Sequence, residues 1–167
     1  MNLNKMDQEV KEEKRKSRNK RIISIAVVLL VVCFGVYWIM PKSFEIGTSG
    51  YFEEEKVIES AEKVIELLNE NDLEGLKEIS TEKMQGSINT GAIDSVREEI
   101  SSDWGEFVSI GEESYMTEVK QKGKYMAAIQ KVVSYENLDV IFTISFDKEM
   151  KMAGLHMTEK TENQEQK

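Results

Sequence analysis

His156 is the only histidine in the chain. Histidine is the side chain best suited to moving protons near neutral pH. If residues 147–151 close the last hairpin, His156 falls opposite Phe142, and Lys131 lies on Phe142's other side. Lys131, Phe142 and His156 are therefore the ligand-pocket candidates, a polar row crossing three strands. A catalytic base also needs a partner acid or phenol. Asp139 falls on the opposite face, and Tyr125 and Tyr135 fall at the ends of their strand, so no residue is assigned as catalytic. Ser80-Thr81-Glu82-Lys83 matches Ser-x-x-Lys, a penicillin-binding-type nucleophile motif. That chemistry needs Ser-Asp-Asn and Lys-Thr-Gly companions. Neither tripeptide occurs, so the stretch reads as a capped turn between helices. Cys33 is the single cysteine, which excludes an intrachain disulfide and a Cys-based metal site. Glu53-Glu54-Glu55, Glu98-Glu99 and Glu112-Glu113 are solvated faces. On a helix, consecutive residues diverge by about 100° and do not converge on one ion. No metal and no cofactor is expected.

The elements that would position these residues follow from periodicity. Val57, Ile58, Ala61, Val64, Ile65 and Leu68 recur at three- and four-residue steps and form one stripe of a helix. Asn69 and Asn71 end that helix, and Asp72 can cap a short second one carrying Leu73, Leu76 and Ile79. Ile93, Val96, Ile100 and Trp104 mark a third, stopped by Gly105. Residues 107–119, 124–135, 138–146 and 152–158 are rich in Val, Ile, Phe, Tyr and Thr. Short polar breaks separate them, which makes hairpins and an antiparallel meander. With Glu136-Asn137 as a two-residue turn, Lys131 faces Phe142 and Val133 faces Val140. The face with Tyr125, Ala127, Ile129, Lys131, Val133, Val140, Phe142, Ile144 and Phe146 is the bulkier and is assigned to the core. The opposite face shows Met126, Ala128, Val132 and Ile141, and in this register Leu155 and Met157 continue it. These six are the interface candidates, and a homodimer through them is one expected partnership.

An apolar run places the whole. Residues 22–40 (IISIAVVLLVVCFGVYWIM) hold no charge, and at about 1.5 Å per residue they match a bilayer's hydrocarbon core. Residues 1–21 carry eight Lys/Arg against four Asp/Glu, whereas residues 22–167 carry 14 against 27. Basic flanks stay cytoplasmic, so the chain reads as a single-pass, signal-anchored cell-membrane protein with its C-terminal domain extracytoplasmic. A cleaved signal peptide would have a shorter apolar region and a small-residue cleavage site. A lipoprotein signal would place a small residue before Cys33, where Val32 stands. The segmentation is a basic cytoplasmic segment 1–21, a transmembrane helix 22–40, a linker 41–50, a domain 51–158 and a disordered acidic tail 159–167. The acidic balance outside excludes nucleic acid as a partner.

Trp104-Gly105-Glu106-Phe107-Val108-Ser109-Ile110-Gly111 resembles a motif of domain-of-unknown-function family 3887. So do Asn137-Leu138-Asp139-Val140 leading to Ile144-Ser145-Phe146-Asp147, and Lys151-Met152-Ala153-Gly154-Leu155. The helical opening Val64-Ile65-Glu66-Leu67-Leu68-Asn69, with Asp72-Leu73, resembles it too. The resemblance covers residues 55–157. It implies a bacterial membrane-anchored or secreted domain, similar to the nuclear-transport-factor-2-like cone fold. It names no catalytic residue.

The fold expected is therefore α+β: a transmembrane helix, then a cone-like domain of about three helices on a curved four-stranded antiparallel sheet. The function expected is non-catalytic: an extracytoplasmic module binding a small ligand, a wall component or a partner protein. The alternatives are a pocket enzyme using His156 as base and a structural dimerising module.

Overall fold

The computed structural model describes residues 40–161. The chain divides at residue 40 into two units, and the second, from residue 41, holds the described elements. The basic segment, the apolar run up to residue 39 and residues 162–167 of the tail lie outside the described residues. No helix among the described residues is long and apolar enough to cross a membrane.

The second unit is α+β. Its elements are β1 (Lys42–Phe44), α1 (Glu54–Asn69), α2 (Leu73–Glu78), α3 (Glu82–Gln85), α4 (Thr90–Ile100), β2 (Phe107–Gln121), β3 (Lys124–Tyr135), β4 (Asp139–Phe146) and β5 (Met152–Glu159). The five strands form one antiparallel sheet in chain order.

α1 forms where its apolar stripe requires. Val57, Ala61, Val64, Ile65 and Leu68 are buried; each of the larger four contributes about 1.5–3 kcal/mol, and the small alanine less. Asn71 takes φ 56°, a left-handed residue that turns the chain after the helix. The Asp72 side chain accepts a hydrogen bond from the Gly75 amide at 2.9 Å and so caps α2. α4 is capped by Asn89, whose Oδ1 accepts from the Ala92 amide. It stops at Ile100, short of Trp104, which lies in the loop with its indole N–H donating to the Arg97 carbonyl at 3.0 Å.

The β3–β4 hairpin keeps the register that the sequence implies. Lys122 and Gly123 both have positive φ, 51° and 77°, as a two-residue type I′ turn requires. Lys131 pairs with Phe142 and Val133 with Val140. One sheet face, with Ala127, Ile129, Lys131, Val133, Val140, Phe142, Ile144 and Phe146, is buried on the side where α1 packs.

Three expectations are corrected. The sheet has five strands, because residues 42–44 of the expected linker pair with residues 118–120. The signal was Glu118, an inward-facing carboxylate on β2 that the segment after β1 satisfies. Second, helical segments among the described residues number four, since Glu82–Gln85 adds a single turn. Third, β5 begins in the expected register, Phe146 with Met152, but a bulge at Ala153 then shifts it by one residue. A one-residue shift exchanges faces. Met157 therefore pairs with Phe142 and is buried, Leu155 pairs with Ile144 and packs against the core, and His156 turns outward opposite Thr143.

Candidate interaction surface

Of the three pocket residues, the structure brings two together. Lys131 and Phe142 are neighbours on the core face, 2 % and 1 % exposed. His156 is exposed on the other face, so the Lys–Phe–His row does not form. Lys131 Nζ lies 3.1 Å from Oε1 of Glu62 on α1, so the pair ties that helix to the middle of the sheet. A buried ammonium requires such a partner, because its desolvation is otherwise uncompensated.

A second inward charge is more completely enclosed. Glu118 is fully buried. Its Oε1 accepts from the Gly47 amide at 2.8 Å and its Oε2 from the Ser49 amide at 3.0 Å. Gly47 adopts φ 87°, a conformation open to glycine that lets the turn curl its amides around the carboxylate. The Thr117 hydroxyl donates to the Phe44 carbonyl at 2.9 Å. Residues 41–50 are thus a strap bound to the sheet edge. Its sequence, PKSFEIGTSG, reads as a loose linker, and only an otherwise unpaired Glu118 on an apolar face points to it.

The far end of the sheet carries an aromatic and polar cluster. Tyr135 donates its hydroxyl to Asn69 Oδ1 at 2.7 Å and meets the Trp104 ring edge-on at 4.9 Å. The Arg97 guanidinium lies 5.2 Å from the Trp104 ring centroid. Burial pushes the Tyr135 phenol above its ordinary pKa, against the opposing effects of Arg97 and the Asn69 bond. Beside this cluster is an open depression of about 450 Å³, rimmed by Asp94, Glu98, Asp103, Glu106 and Glu136. Among the described residues, no group of three or more His, Cys, Asp or Glu could hold a metal ion.

The remaining feature is the sheet face turned away from the helices. Its four central rows are Met126 with Val119, Ala128 with Thr117, Ser145 and Gly154, Gln130 with Tyr115, Thr143 and His156, and Val132 with Ile141 and Thr158; the next row, Ser134 with Ser109 and Asp139, ends them with a carboxylate. No side chain of the four central rows carries a fixed charge, in a chain where 32% of residues are charged. Met126, Ala128, Val132 and Ile141 are half-buried, and Tyr115 is 70% exposed. Gln130 Nε2 donates to Thr143 Oγ1 at 3.3 Å across the middle row. Four of the six interface candidates therefore lie on this face, and Leu155 and Met157 do not. Tyr115 and His156 belong to it and were missed, because bulges in β2 and β5 hide their register in the sequence.

Residues 61–155 match the family described as protein of unknown function (DUF3887). The chain belongs to this family. A solved relative in fold is the NMR structure of a protein from Ruminococcus gnavus ATCC 29149. It is 25% identical, with a TM-score of 0.59, and the match covers 70% of this chain and 99% of that one. No curated protein matches the chain. The DUF3887 domain is thus the strap-bound α+β unit, and neither comparison names a ligand or an activity.

Proposed function

We propose that this DUF3887 protein is a membrane-anchored, extracytoplasmic interaction module without catalytic activity, which engages its partner through the uncharged sheet face. The observation that carries the reading is the composition of that face. An outward sheet surface on so acidic a chain ordinarily alternates to charge, whereas here four adjacent rows have none. Contiguous apolar surface marks contact sites, and Val119, Met126, Val132 and Ile141 supply the apolar part of this face. Its partner is a protein surface or a neutral wall component. The unpaired His156 and the filled environment of Lys131 speak against the pocket-enzyme alternative. The apolar run 22–40 and its basic flank support the anchor and the orientation.

Two experiments test the proposal. In intact cells, a protease added outside should digest residues 41–167 of the anchored chain and spare residues 1–21. Protection of the whole chain would refute the orientation. For the interface, a photoreactive amino acid at Val132 should give covalent adducts in cells, while the same group at the exposed Glu59 on α1 should not. Equal labelling from both positions, or none from Val132, would refute the contact face.

A further inference from the structure

The two edges of the sheet are built differently. On the β2 side, β1 is three residues long and carries Lys42. Beyond it β2 is interrupted by irregularities between Phe107 and Ser109 and between Ile110 and Ser114, with Glu112 and Glu113 exposed in the second. Short strands, bulges and charges are the devices that stop a sheet from adding strands. The β5 side has fewer of them, with α3 and α4 packed near β5 but making no backbone hydrogen bond to residues 153–159. Ser80 covers the start, pairing with Met152: the Met152 amide donates to the Ile79 carbonyl, and the Thr81 amide donates to the Met152 carbonyl. From Ala153 to Thr158 there is no charged residue and no proline. Among the described residues, no backbone hydrogen bond outside the β4 pairing reaches residues 153–159. At about 3.4 Å per residue this free edge is roughly 20 Å long.

We propose that β5 is a self-pairing edge, at which two copies of this chain join antiparallel into one continuous ten-stranded sheet. This rests on the interaction-module reading and names one partner, a second copy. Three features favour that occupant. An antiparallel pairing of a strand with itself satisfies a two-fold axis, so one surface serves both copies. The neutral stretch from Ala153 to Thr158 brings no carboxylate against a carboxylate, although the domains are acidic. The opposite edge is guarded, so growth ends at two copies and does not continue into a fibre. Inward and outward side chains must stay matched across the new pair. The axis therefore passes Leu155, opposing Leu155 to its mate, or His156, opposing His156 to its mate. In either case the two neutral faces merge into one surface twice as wide. Anchoring both copies in one membrane raises their effective concentration, which lets a six-residue edge suffice.

The test is disulfide trapping of the full chain in native membranes, on a Cys33→Ser background. Leu155→Cys or His156→Cys should convert most of the protein to a covalent dimer under mild oxidation. Tyr115→Cys, next to the guarded edge, should remain at least tenfold less cross-linked. Adding Thr158→Lys should reduce trapping from the β5 positions by about tenfold. His156 is exposed, so His156→Cys tests the pairing even if Leu155→Cys misfolds. No dimer from either β5 position, or equal trapping from Tyr115→Cys, overturns the proposal. If Val132 still gives photo-adducts in that event, edge pairing alone is wrong and the contact-face reading stands. If both fail, the interaction-module reading fails with it.

Discussion

Glu118→Gln isolates the contribution of the strap. The carboxylate is fully buried and accepts two backbone hydrogen bonds, from Gly47 and Ser49, at 2.8 and 3.0 Å. Glutamine preserves the shape and one acceptor oxygen. It places an NH₂ group against the second amide, donor to donor. One charge-assisted hydrogen bond is lost, worth about 1.5–3 kcal/mol, and a buried donor is left without an acceptor. Relief of burying a charge offsets part of this, so the net loss is about 2–4 kcal/mol. At about 4 °C per kcal/mol for a domain of this size, Tm falls by roughly 8–16 °C. The change is also local. In hydrogen exchange of the full chain, the amides of Gly47 and Ser49 should lose protection, and those of β3 and β4 should keep theirs under native conditions. An unchanged Tm with both strap amides still protected would refute the reasoning.

Other outcomes follow from the same geometry. Lys131→Met replaces a buried ammonium with an apolar side chain of similar length and should be neutral to about 3 kcal/mol stabilising in urea unfolding. Glu62→Ala leaves Lys131 without its carboxylate and should cost about 1–3 kcal/mol, reduced from the fully buried case because Glu62 is 41% exposed. Tyr135 has its pKa raised by burial, so the unfolded chain releases the phenolic proton first. Its stabilising contribution is complete below about pH 10 and is lost as pH rises through the folded value. Tyr135→Phe should flatten that alkaline decline and cost about 1 kcal/mol at neutral pH through the bond to Asn69.

Much of the fold is written in local signals. The α1 stripe from Val57 to Leu68 and the Asp72 cap each act within a few residues, and each appears where its pattern implies. The Glu136-Asn137 turn likewise sets the pairing of β3 with β4. What is hidden depends on non-local geometry. Ala153 has no feature marking it as a bulge. Its consequence, the reversal of Leu155, His156 and Met157, follows from a local choice of backbone path. A side chain at Gly154 would meet Ser145 Oγ, 2.7 Å from an ideal Cβ, so the absence of a side chain there permits the close pairing after the bulge. Pairing of β1 with β2 joins residues more than seventy apart, and a three-residue strand offers no periodicity. The strap was legible only through Glu118, an acid in a row with Ala127 and Phe146. The interaction face was legible in its centre, at Met126, Ala128, Val132 and Ile141, where the hairpin turns are regular. It was not legible at its margins, where bulges decide which side chains turn outward.

The measurement closest to the central claim is hydroxyl-radical footprinting of the full chain in native membranes, compared with the same chain diluted to monomer in detergent. Met126 is readily oxidised and lies half-buried on the neutral face, and Met84, partly buried on α3, serves as the internal reference. The account predicts that Met126 and Ile141 are labelled several-fold less in native membranes than in the monomer, while Met84 is labelled equally. Equal labelling of Met126 and Ile141 in both states would contradict the claim that this face is the protein's contact surface.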